Sequence, residues 1–121
     1  MDSNVGRAVL LQELLDALVE VDSAAEQLQE HLHGYRAELA TARAHFAAGG
    51  SVPDLLAAKP LTAERSAKEP VRLLEAARAR GQYAMYRLAA ADGMNAAEIG
   101  RAWTVSRQLV SRVLNHHGNR T

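Results

Sequence analysis

Apolar residues recur every three or four positions from about Val9 to Ala48, without a break over five heptads. This alternation is that of the a and d positions of a coiled coil. Gly49 and Gly50 follow, and glycine tolerates the backbone conformation in which helices commonly end. The pattern therefore predicts one long amphipathic helix. Its seam has two rows: the Leu18 row (Leu11, Leu18, Ala25, Leu32, Leu39 and Phe46) and the Leu14 row (Leu14, Val21, Leu28, Tyr35 and Ala42).

The length of this helix constrains what can cover its seam. About 38 residues at 1.5 Å each span roughly 57 Å, whereas a compact chain of 121 residues has a diameter of only about 35 Å. We therefore expect a second copy of the chain to cover the seam, with a kink near Gly34 and a monomeric helical bundle as the alternatives. The predicted dimerisation residues are Leu11, Leu14, Leu18, Val21, Leu28, Leu32, Tyr35, Leu39 and Phe46.

The direction of the pair stays open at this point. In an antiparallel pair, Asp22 would meet the partner's Arg36 twice. In a parallel pair, Glu38 would meet the partner's Arg43, but His31 would face the partner's Arg36. Charge slightly favours the antiparallel pair, and a parallel pair brings the two C-terminal ends together more simply.

Composition predicts an all-α chain. There are 24 Ala and 16 Leu against one Ile and one Phe, and strands favour the β-branched and aromatic residues that are scarce here. The 12 Arg against 2 Lys, together with the many Ala, are typical of a GC-rich bacterial genome. The predicted order is a coiled-coil helix in residues 1–50, a proline-punctuated connector in 51–69, and a C-terminal helix-turn-helix domain in 70–121.

Capping residues divide the second half of the chain. Ser51 can cap a short helix that begins at Pro53, and Thr62 can cap another that reaches Lys68. A longer helix with Pro70 in its first turn should end near Asp92 and Gly93.

Charge is distributed unevenly although the formal net charge is +0. Residues 1–34 hold seven acids and one base, whereas residues 35–121 hold thirteen bases and seven acids. Such polarity indicates that the basic part meets a polyanion, and that the acidic part repels phosphate.

Several classes of function are excluded or disfavoured by what the sequence lacks. There is no cysteine, which excludes a disulfide scaffold and a thiolate site. No apolar run approaches the roughly 20 residues that span a bilayer, and the first residues lack a signal-peptide pattern. The spacing of His31 with His33, and of His116 with His117, is poor for a metal site. We expect a cytoplasmic, nucleoid-associated protein that is not an enzyme, with no cofactor, metal or membrane partner.

The segment Met94–Asn115 carries the most specific pattern. Asn95 can cap a helix that ends at Trp103, and Ser106 can cap a second one that runs to about His116, with Thr104, Val105 and Ser106 as the turn. Ile99, Trp103 and Val105 should pack against Val110, Val113 and Leu114. Gly100 supplies a small residue where the two helices approach.

The run AEIGRAWTVSRQLVSRVL resembles the helix-turn-helix DNA-binding proteins of bacteria, over about a fifth of the chain. It is similar to their first helix with the letters EIG, their turn ending in Val-Ser and their recognition helix opening with Ser-Arg-Gln. The family usually has Gly where Thr104 stands, and the positive φ of that position costs Thr more than Gly. The resemblance implies sequence-specific binding of duplex DNA.

The residues of the second helix support the same interpretation. Its polar face contains no acid, Arg reads guanine and Gln reads adenine in the major groove, and Ser bonds phosphate or base. Asn95 and Arg101, on the first helix, are expected to contact phosphates. The full set of predicted DNA-binding residues is Asn95, Arg101, Thr104, Ser106, Arg107, Gln108, Ser111, Arg112 and Asn115.

The sequence thus predicts a dimeric bacterial transcriptional regulator that reads the major groove with the helix from Ser106 to His116. The alternative is a protein-interaction module, such as an antitoxin or a sigma-factor-binding protein, that holds a protein partner on its acidic N-terminal helix.

Overall fold

The computed structural model describes residues 2–59 and 61–118, and every regular element among them is a helix. The expected all-α class is confirmed. No helix in this part of the chain is long and apolar enough to cross a membrane. The elements are α1 (Asp2–Ala47), α2 (Val52–Ala58), α3 (Thr62–Arg65), α4 (Lys68–Ala91), α5 (Ala96–Trp103) and α6 (Arg107–Gly118).

Helix α1 is longer than the heptad pattern predicted, since it begins at Asp2 rather than near Val9. Val5 and Val9 are exposed, so the apolar pattern gave no signal for this first part. The helix continues past Gly34 without interruption. It ends as expected at Gly49, whose φ of 86° is in the left-handed region that glycine adopts readily.

The connector contains two short helices, and one of its predicted caps is wrong. The Ser51 hydroxyl caps α2 by accepting from the backbone N–H of Asp54 at 3.2 Å. Thr62 is not a cap but the first residue of α3, and the residue before that helix, Leu61, has no side-chain oxygen to offer. Pro70 lies in the first turn of α4, and Gly93 follows the end of that helix with a φ of 100°.

The chain forms two compact units. The first unit consists of the described residues up to Val21 together with those from Ala77 onward. The second unit is Asp22–Ala76. Helices α1 and α4 each contribute to both.

In the first unit, the beginning of α1 packs against the second half of α4. Leu14 and Ala17 form a buried cluster with Ala84 and Leu88. A Cβ built on Gly81 would stand 3.4 Å from Val21 Cγ2, which is ordinary contact, so these helices approach closely. Burial of this apolar surface excludes water from the seam and stabilises the pair.

Ion pairs border the same contact. Arg87 donates to Glu13 at 2.7 Å, and Arg80 donates to Glu20 at 2.8 Å. Asp92 accepts from Arg7 at 2.7 Å, and this guanidinium lowers the pKa of the Asp92 carboxyl. Each pair is partly exposed and contributes little to stability on its own. Two of the three pairs neutralise arginines of α4 with acids of α1, and the third joins an arginine of α1 to the acid that follows α4.

The covered face of α1 is one row away from the predicted seam. The covered face consists of the Leu14 row and the neighbouring Ala17 row, and all members of both rows are buried or half-buried. The Ala17 row is Leu10, Ala17, Ala24, His31, Glu38 and His45. In the first unit Leu18 remains 43% exposed, and in the second unit Leu32, Leu39 and Phe46 are each about 45% exposed. The chain itself therefore covers the Leu14 row and, of the Leu18 row, Leu11, which packs against the first apolar cluster; the members from Leu18 onward stay exposed.

In the second unit, polar members of the Ala17 row hold the connector. His31 Nε2 lies 2.8 Å from the carbonyl oxygen of Ala63, and the backbone N–H of Ala63 donates to Glu38 Oε2 at 2.6 Å. The Glu64 carboxylate, as an acceptor for the Tyr35 hydroxyl and as a negative charge, raises the pKa of that hydroxyl. These bonds fix α3 on α1 with almost no apolar contribution from α3, which has no buried residue.

A second apolar cluster in the first unit joins α4, α5 and α6. Tyr86, Ile99 and Val110 are fully buried in it, with Ala89 at its edge. The Tyr86 hydroxyl is buried without a hydrogen-bond partner, and burial raises its pKa.

We predict that Tyr86→Phe leaves the free energy of unfolding unchanged or raises it by up to about 1 kcal/mol, because the change removes a buried oxygen that no group satisfies. Urea denaturation of the full-length chain, followed by circular dichroism, measures this. Tyr86→Ala is the comparison and should lose about 3–5 kcal/mol through the cavity it leaves. A loss above 1 kcal/mol in Tyr86→Phe would mean that the hydroxyl is bonded.

Candidate nucleic-acid interface

The first helix of the Met94–Asn115 segment begins with a complete capping box. Asn95 Oδ1 accepts from the backbone N–H of Glu98 at 2.9 Å, and Glu98 Oε1 accepts from the backbone N–H of Asn95 at 2.9 Å. Both bonds satisfy donors that the start of a helix leaves unpaired. The predicted cap is confirmed. Oδ1 of Asn95 accepts a bond within the cap, and its Nδ2 amide group remains as the donor to a ligand.

The turn after α5 closes with the bonding pattern of a Schellman motif. The backbone N–H of Val105 donates to the Gly100 carbonyl at 2.8 Å, and that of Thr104 donates to the Arg101 carbonyl at 3.3 Å. Thr104 takes the left-handed conformation, with φ 57° and ψ 43°. Ser106 Oγ then accepts from the backbone N–H of Leu109 at 3.0 Å, so that the predicted cap of α6 is also confirmed.

Gly100 is needed because the turn folds back over it. A Cβ at this position would stand 2.7 Å from the Val105 carbonyl oxygen and 3.3 Å from the Arg107 backbone nitrogen. The neighbours are backbone atoms, which cannot move aside as a flexible side chain does. The close approach expected at Gly100 is thus to the turn and to the start of α6.

Apolar contacts hold α5 and α6 together behind the polar face. Val105, Val113 and Leu114 pack around Ile99 and Val110, as the sequence predicted. Trp103 lies at the margin, 36% exposed, with its ring edge-to-face on Tyr86 at a centroid distance of 5.5 Å. Trp103 therefore packs against a residue of α4, and the sequence did not indicate this contact.

The opposite face of α6 is polar and contains no acid in its described side chains. Arg107, Gln108, Arg112 and Asn115 are exposed, and Ser111 is half-buried. Arg101 and Thr104, which precede α6, are exposed as well. The surface is one on which hydrogen-bond donors predominate.

The structure brings three of the predicted residues to one open cleft of about 450 Å³. Asn95, Arg107 and Ser111 line it, together with Ala96 and Ala97. Sequence reasoning did not single out the two alanines, although two small residues directly after a cap are a signal of open space there. The cleft lies at the N-termini of α5 and α6, where backbone N–H groups favour an anion. The other predicted residues lie outside this cleft: Arg101, Thr104, Ser106, Gln108, Arg112 and Asn115.

The arginines of the first unit differ in their partners. Arg7, Arg80 and Arg87 are paired with carboxylates. By contrast, the described residues place no carboxylate within ion-pair distance of Arg101, Arg107 or Arg112. Positive charge that is not neutralised within the chain is therefore found on the α5–α6 surface.

No group of three His, Cys, Asp or Glu side chains suited to a metal ion occurs within the described residues. His31 is engaged with the Ala63 carbonyl. The side chains of His116 and His117 lie outside the described part.

Comparison with protein-family models, curated proteins and solved structures finds no match to this chain. Function must therefore be inferred from the residues of the chain themselves.

We predict that Thr104→Gly raises the free energy of unfolding by about 0.5–1 kcal/mol, because a β-branched residue is strained in the left-handed region and glycine is not. Gly49 and Gly93 already occupy the equivalent position after α1 and α4. Thr104→Ala is the matched control and should give no gain, because alanine keeps the strain. Equal stabilities of the Gly and Ala variants in urea denaturation would contradict the prediction.

Proposed function

We propose that the chain is a sequence-specific DNA-binding protein that inserts α6 into the major groove of duplex DNA. In this proposal α5, the turn and α6 are a helix-turn-helix, and the protein is a bacterial transcriptional regulator that works at the nucleoid in the cytoplasm. The observation that carries it is the acid-free, exposed face of α6 with Arg107 and Gln108 in its first turn. Residues at this end of a recognition helix contact base edges.

The geometry of the cleft supports a contact to the sugar-phosphate backbone beside the bases. Arg107 and Ser111 can donate to a phosphate oxygen, and so can the Nδ2 amide of Asn95. The Glu98 carboxylate already caps the N-terminus of α5, so the positive charge at this cleft comes from Arg107. Arg101 on α5 supplies a further charge for the phosphates that flank the groove.

The distribution of ion pairs favours DNA over the alternative of an acidic docking helix for a protein partner. Glu13 and Glu20 on α1 are already engaged by Arg87 and Arg80. These acids are therefore less available to a basic partner protein. Arg101, Arg107 and Arg112 have no such carboxylate partner among the described residues and can attract phosphate.

A homodimer would present two copies of α6. By symmetry the two copies would read the two halves of an inverted repeat, with half-sites about one helical turn or a multiple apart.

We predict that the Arg107→Ala/Gln108→Ala variant changes which sequences are bound, since each lost bidentate base contact removes about 1–3 kcal/mol of discrimination. Enrichment of bound sequences from a randomised duplex library, followed by fluorescence anisotropy on the enriched sites, measures the change. If the double variant keeps both the affinity and the preferred sequence, α6 does not read DNA.

We predict a different result for Arg101→Ala. Loss of a phosphate contact should weaken binding to all duplexes alike and reduce the slope of log affinity against log salt by about one. Arg72→Ala is the matched control, because Arg72 is an exposed arginine already paired with Glu69 at 2.6 Å. Its DNA affinity should equal that of the wild type. A changed sequence preference in Arg101→Ala would instead place this residue at the bases.

A further inference from the structure

From Leu18 onward, the Leu18 row is an exposed apolar stripe at strict heptad spacing. Within the second unit it consists of Ala25, Leu32, Leu39 and Phe46, all exposed. Leu18, in the first unit, is exposed as well. Large apolar side chains repeated every seven residues on one helix face are typical of a surface that packs against another helix.

The Leu18 row lies between two adjacent rows of α1, and the chain itself covers one of them, the Leu14 row. A partner helix must therefore contact the adjacent row on the other side of the Leu18 row. That neighbour is the Asp22 row, which is Leu15, Asp22, Gln29, Arg36 and Arg43, and every member of it is exposed. The described residues give Asp22, Arg36 and Arg43 no ion-pair partner within the chain. The intermolecular seam thus consists of an apolar row and a charged row.

The charged row decides the direction of a self-pair. In a parallel pair, each residue meets its own copy, which would place Asp22 against Asp22, Arg36 against Arg36 and Arg43 against Arg43. Like charges held opposite each other disfavour that arrangement. With one copy reversed, the part of the Leu18 row in the second unit matches itself, because Ala25 faces the partner's Leu32 and Leu32 faces the partner's Ala25. The same alignment brings Asp22 within one residue of the partner's Arg36.

We infer that the protein forms an antiparallel homodimer in which the Leu18 and Asp22 rows of α1 pack against those of a second copy. Twofold symmetry makes two Asp22–Arg36 ion pairs from one match. The small Ala25 allows the helices to approach near the centre of the contact. The inference rests on α1 alone and does not depend on DNA binding.

Charge reversal in the full-length chain tests both the partner and the direction. Asp22→Arg places a positive charge opposite the partner's Arg36 at each of the two symmetry-related sites and should weaken dimerisation about tenfold, as measured by sedimentation equilibrium. The double variant Asp22→Arg/Arg36→Asp restores opposite charges in an antiparallel pair and should recover the wild-type dissociation constant. In a parallel pair the double variant would still oppose like charges, so a failure to recover would overturn the inference.

Glu30→Arg is the matched control, because it is the same kind of charge reversal on the opposite side of α1 and should leave the dissociation constant unchanged. A wild-type chain that is monomeric at micromolar concentration would also overturn the inference.

The direction of the pair can be checked independently by disulfide crosslinking, since the chain has no cysteine. A mixture of Asp22→Cys and Arg36→Cys should oxidise to the mixed disulfide dimer, which keeps one ion pair, whereas Asp22→Cys alone should not crosslink. Efficient crosslinking of Asp22→Cys alone would show a parallel pair.

Discussion

The packing of the beginning of α1 against the second half of α4 determines which surfaces of the first unit are left to act on other molecules. Ala17 and Ala84 are small enough for the helices to approach, and Leu14 and Leu88 fill the space between them. Once this contact forms, the Leu14 row is no longer available to a partner, and arginines of α4 lie beside the acids of α1. Within the first unit, this contact leaves Leu18 exposed and pairs Arg80 and Arg87 with carboxylates.

The α5–α6 surface depends on backbone geometry more than on buried area. One capping box, one left-handed residue and one hydroxyl cap define where α5 begins, where it ends and where α6 begins. Gly100 permits the turn to close over α5, and Ile99 and Val110 fix the two helices from behind. Arg107 and Gln108 lie in the first turn of α6, and the start of α6 is held by the Ser106 cap and by the left-handed turn at Thr104.

Local signals in the sequence predicted this surface well, whereas the packing of α1 could not be predicted. The caps at Asn95 and Ser106 and the turn at Thr104 are determined by residues within a few positions of one another. The Ala17 row was missed because its apolar members are small and its later members, His31, Glu38 and His45, are polar. Those polar residues are bonded to backbone carbonyls or N–H groups of the connector. A pattern of apolar residues cannot predict such hydrogen bonds. The buried face of α1 includes the Ala17 row because the residues that cover it, on α4 and in the connector, lie far along the chain.

The separation in sequence between α1 and its partner on α4 has a consequence for synthesis. Arg7 pairs with Asp92, 85 residues later, so α1 leaves the ribosome well before the helix that covers it exists. At about 5–20 residues per second, this interval lasts several seconds. During that time both the Leu14 row and the Leu18 row of a nascent chain are uncovered. Neighbouring ribosomes on one messenger RNA would then hold α1 helices close together, which favours pairing of two nascent chains before either has folded.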